Sequence, residues 1–82
     1  MPRTPATPEL KARGERLAVA LRLAREDREL AQELLARRAD VSVETVRKIE
    51  ARATSNPGFF TVAALAEALG ISLDDLAARS AS

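Results

Sequence analysis

The chain has 82 residues with 13 Lys and Arg, 12 Asp and Glu, a formal net charge of +1, and neither Cys nor His. That length suits one small domain with a workable core. Without Cys or His, disulfide staples and the usual zinc sites are excluded, so stability must come from packing, helped at most by a partner subunit.

The composition is rich in Ala, Leu, Arg and Glu, with Phe59 and Phe60 the only aromatics. It favours helix throughout, and no strand pattern, repeat or second domain stands out, so an all-α fold is expected. The start, Met-Pro-Arg-Thr-Pro-Ala-Thr-Pro, has no apolar signal region. No uncharged segment approaches the roughly 20 apolar residues of a membrane span. A cytoplasmic protein with no membrane partner is expected, and the lack of Cys fits a reducing compartment.

Residues 1–6 are expected to be a disordered arm, residues 7–79 one domain, and residues 80–82 a frayed end. Thr7-Pro8-Glu9 is a helix start: a capping hydroxyl, proline at the first helical position, and an acid near the positive end of the dipole. The first helix should run from about Pro8 to Asp27, with Leu10, Gly14, Leu17, Leu21 and Ala24 as its inward stripe. Arg25 falls at the margin of that stripe. Val19 and Leu23 form an i,i+4 pair on the opposite, otherwise charged face. They read either as stray surface apolars or as a contact for a partner or second copy.

The second helix should span Ala31 to Ala39, with Leu35, Ala36 and Ala39 inward. The third should span Val43 to Ala51 with Ser42 as its cap. It hides Val46 and Ile49 and shows Glu44, Arg47 and Lys48. A short helix with a polar outer face, braced by a second helix, suits insertion into the DNA major groove. Residues 52–58 form a loop whose Asn56-Pro57-Gly58 is strong turn chemistry. The fourth helix should run from Phe59 to Leu69, with Phe59, Val62, Leu65, Ala66 and Leu69 inward and Gly70 as its left-handed cap. Ser72 should cap a fifth helix in which Leu73 and Leu76 close the core.

Net charge gives little support for a nucleic-acid partner, but its distribution gives more. Residues 1–52 hold 12 of the 13 basic and 9 of the 12 acidic side chains. The positive half therefore contains the candidate motif. No catalytic set stands out, since His, Cys, Tyr and Trp are all absent and no Gly-rich phosphate loop occurs. No enzyme, cofactor, metal or small-molecule ligand is expected.

Gln32-Glu33-Leu34-Leu35-Ala36, Asp40-Val41-Ser42, Ile49-Glu50, Asn56-Pro57 and the run Ala66 to Leu76 carry a resemblance. The chain resembles the lambda-repressor-like, xenobiotic-response-element (Cro/CI) type of helix-turn-helix domain, over roughly two-thirds of its length and across five helices. The resemblance implies a compact five-helix domain whose second and third helices form the motif. It implies that Gln32 gives its amide to a phosphate and that Val43, Glu44, Arg47 and Lys48 lie where base edges are read. Thr45 would touch a phosphate at the groove edge. Arg25 and Glu50 would pair across the domain as a brace.

Chemistry narrows these roles. Glu44 can accept from cytosine N4 or point away, and Val43 can offer only apolar contact, best to a thymine methyl. Arg47 and Lys48 can read guanine or hold the backbone. The amides of residues 52–55, with Arg52 and the hydroxyls of Thr54 and Ser55, could grip a further phosphate. Ser42 belongs to the same surface. The pattern departs from the family at Asp40 for the turn glycine, Ala31 for a capping hydroxyl, and Glu29 for a glycine. Loss of the cap forfeits about 1 kcal/mol. The expected function is a sequence-specific regulator of repressor type, binding double-stranded DNA as a homodimer. The alternative is a protein-interaction module, an antitoxin or adaptor on the same fold with weak or no DNA binding, using Val19/Leu23 or the fifth helix.

Overall fold

A computed structural model describes residues 8–51 and 57–81. Five helices follow in order: α1 Pro8–Asp27, α2 Gln32–Ala39, α3 Val43–Glu50, α4 Phe59–Leu69 and α5 Leu73–Ala81. The arm expected at 1–6, the cap expected at Thr7, and Arg52, Thr54, Ser55, Asn56 and Ser82 lie outside the described residues. The side chains of Leu10 and Ala81 do too.

Each helix supplies one of the five largest fully buried side chains: Leu21, Leu35, Val46, Leu65 and Leu76. Burying each is worth roughly 1.5–3 kcal/mol. Small residues let the helices approach: Ala18, Ala20 and Ala24 of α1, Ala36 and Ala39 of α2, and Ala66 of α4 are all buried. α1 packs chiefly on α5 and also meets α3 and α4, while α2 packs on α3 and α4.

Three helices end in the same way. After α1, Glu29 donates to the Glu26 carbonyl at 2.9 Å and Leu30 to that of Arg25 at 3.2 Å. After α2, Asp40 donates to Arg37 at 3.2 Å and Val41 to Ala36 at 3.0 Å. After α4, Gly70 donates to Glu67 and Ile71 to Ala66, both at 3.0 Å. This is the Schellman closure, with a left-handed residue at its apex. The apices are Glu29, Asp40 and Gly70, with φ of 54°, 57° and 73°. The apolar residue after each apex, Leu30, Val41 or Ile71, packs against the core. The turn between α2 and α3 thus keeps its left-handed geometry without glycine.

The ends of α2 and α3 fall within a residue of expectation: α2 begins at Gln32, with Ala31 its N-cap and no side-chain cap bond, and α3 ends at Glu50, with Ala51 its C-cap. Two inward assignments need correction. Phe59 is 65% exposed, not inward. It is the first residue of α4, before the helix meets the core at Val62 and Leu65, and its ring stacks edge-on with Phe60 at 5.4 Å. Leu73, the first residue of α5, is 39% exposed, so only Leu76 closes the core there. On α1, Ala18 and Ala20 are buried beside the expected stripe, because that helix has neighbours on more than one side.

Candidate nucleic-acid interface

α3 has eight residues, too few to be helical alone. Val46 and Ile49 pin one face in the core, 1% and 4% exposed. Its first turn is closed by Ser42, whose Oγ accepts from the Thr45 amide at 3.1 Å and shares a hydrogen bond with the Thr45 hydroxyl at 2.8 Å. Both hydroxyls lie at the N-terminal end of α3, where an anion is favoured. Glu44, Arg47 and Lys48 are exposed. Val43 is half-buried and packs against the core, so only part of it is open to a base.

The far end of α3 is tied down by charge. Arg25 Nε and Nη2 donate to Glu50 Oε2 at 2.7 Å and Oε1 at 2.8 Å. Its Nη1 donates to the Leu30 carbonyl at 2.7 Å. The side chains are 13% and 5% exposed. Its hydrogen bonds to the Glu50 carboxylate hold the pKa of the Arg25 guanidinium above its ordinary value, against the opposing effect of burial. The fork-to-fork geometry fixes orientation as well as charge. α1, the turn after it and α3 therefore meet at one guanidinium.

Gln32 joins this cluster. Its amide nitrogen donates to Glu50 Oε1 at 3.0 Å. The side chain singled out for a phosphate thus has an internal partner, with one amide hydrogen still to give.

On the outer face, Arg47 Nη1 donates to Glu44 Oε1 at 2.8 Å, and its Nη2 lies 3.7 Å from Glu33 Oε1 on α2. The three-residue spacing of Glu44 and Arg47 was available in the sequence as a helical ion pair. The reach of Glu33 was not, because it depends on how α2 crosses α3. Lys48 has no ion pair among the described residues. Val19 and Leu23 stand apart from this face. They line an open groove between α1 and α5 with Ala12, Ala20 and Arg79, and Leu23 is 48% exposed.

Two short helices across a tight left-handed turn, the second anchored by its apolar side and polar outside, define a helix-turn-helix protein. The model of the Helix-turn-helix family, of lambda-repressor-like Cro/CI type, matches residues 21–76, and the chain belongs to that family. No curated protein matches the chain. The family is one of DNA-binding regulatory domains rather than enzymes. Among the described residues no group of His, Cys, Asp and Glu is placed to hold a metal, and no helix is long and apolar enough to cross a membrane.

Proposed function

We propose that the chain is a sequence-specific transcriptional regulator of repressor type that places α3 in the major groove of double-stranded DNA. The observation that carries this is the two-sided build of α3: Val46 and Ile49 buried, Arg47 and Lys48 exposed. The Arg25–Glu50 brace supports it by presenting a preset helix rather than one that must order on contact. In this reading Lys48 and Arg47 supply cationic contacts, Glu44 stays paired with Arg47 rather than meeting the DNA itself, the open part of Val43 faces a base edge, and Ser42 and Thr45 meet a phosphate at the N-terminal end of α3. Gln32 gives its remaining amide hydrogen to a phosphate, and Arg52, Thr54 and Ser55 extend the contact along the backbone. A homodimer would read half-sites about 10–10.5 bp apart.

The test is charge reversal. Arg47→Glu with Lys48→Glu should abolish binding to a site selected by the wild type, with a fall of at least about 100-fold at fixed salt. Undiminished tight binding would show that another surface reads the DNA.

A second reading, a protein-interaction module, is favoured by the apolar groups left outside: Leu23 at 48%, Phe59 at 65% and Phe60 at 85% exposure. A chain of this kind would bind duplex DNA weakly, with little salt dependence to lose.

A further inference from the structure

Arg47 stands at the centre of the outer face of α3 between two acids. Nη1 is bonded to Glu44 at 2.8 Å, and Nη2 lies 3.7 Å from Glu33. Arg47, Glu44 and Glu33 are 48%, 65% and 74% exposed. Ion pairs this exposed add little to fold stability. Their effect on a ligand is larger. A phosphate approaching Arg47 brings its negative charge against both carboxylates, and water removed by the approach strengthens that repulsion. A guanine edge carries no net charge. It presents O6 and N7 as acceptors, which two parallel N–H groups can meet. Arg47 has five N–H donors, so one can stay on Glu44 while others face the base.

Resting on the DNA-binding reading above, we propose that Glu33 and Glu44 hold Arg47 for a guanine edge and bar it from phosphates. These two acids thereby set the discrimination between an operator and random DNA. Glu44 is then a positioning residue acting through Arg47, not a reader of cytosine. Lys48, which makes no ion pair among the described residues, remains the phosphate contact of α3. The arrangement also gives a role to the low net charge of +1: weak attraction to every duplex leaves selectivity to base contacts.

The test uses the full chain, a site selected by the wild type from a random pool, and a random-sequence duplex, with Kd measured on both across a salt series. Glu33→Gln with Glu44→Gln should tighten binding to the random duplex about tenfold and steepen log K against log salt by about one, the mark of one more phosphate contact. Affinity for the selected site should change less than about threefold, so the ratio between the two DNAs falls. Adding Arg47→Gln to the double variant should remove the extra slope. An equal rise on both DNAs at unchanged slope, or an extra slope that survives Arg47→Gln, overturns the proposal. If the wild type lacks salt-sensitive affinity for either duplex, the DNA-binding reading itself fails and takes the proposal with it.

Discussion

Glu29 and Asp40 hold φ at 54° and 57°, a region that L side chains enter at a cost of roughly 1–2 kcal/mol. Asp carries a short polar group that eases this cost; Glu does not. Glu29→Gly should therefore stabilise the chain by about 1 kcal/mol and raise the denaturant midpoint, and Asp40→Gly should gain less. A lower midpoint for Glu29→Gly would mean that the freer unfolded chain outweighs the relieved backbone. The Arg25–Glu50 pair works at the same scale with the opposite sign. Glu50→Gln keeps the shape but leaves a nearly buried guanidinium without its counter-charge, and should cost about 3 kcal/mol in chemical denaturation. A loss under about 1 kcal/mol would mean that solvent already screens the pair.

At the scale of the element, α3 depends on two anchors. Ile49→Ala should lower stability by roughly 2–5 kcal/mol, read from the denaturant midpoint. Phe60, larger but 85% exposed, makes the contrast: Phe60→Ala should stay within about 0.5 kcal/mol. A large loss at Phe60 or none at Ile49 would contradict the packing. Helical spacing alone would have placed Phe59 inside, since positions 59, 62, 66 and 69 share one stripe. Periodicity tells which side of a helix is apolar, not where along its length the neighbours stop. Capping signals are more local and so more legible. Ser42 and Gly70 mark their helix ends in the sequence because each acts on backbone groups only a few residues away.

For the whole molecule, the legible and the hidden divide along contact distance. Leu21, Leu35, Val46, Leu65 and Leu76 are apolar residues at helical spacing, and every one is buried. The two-sided pattern of α3 was visible for the same reason. The Gln32–Glu50 bond spans 18 positions, and the meeting of Glu33 with Arg47 depends on a helix crossing; no local pattern encodes either. Burial of Ala18 and Ala20 likewise follows from α1 having α3, α4 and α5 around it. If Val19 and Leu23 join two copies, Leu23→Glu should shift sedimentation from dimer to monomer; an unaltered sedimentation profile would place the contact elsewhere. The guanidinium of Arg25 has a further effect for protein engineering. It belongs to α1 yet ties down the end of α3, so a peptide trimmed to α2 and α3 would lose the clasp that orients the exposed face of α3. Transplanting those two helices into another scaffold would require carrying this arginine, or a substitute cation, along with them.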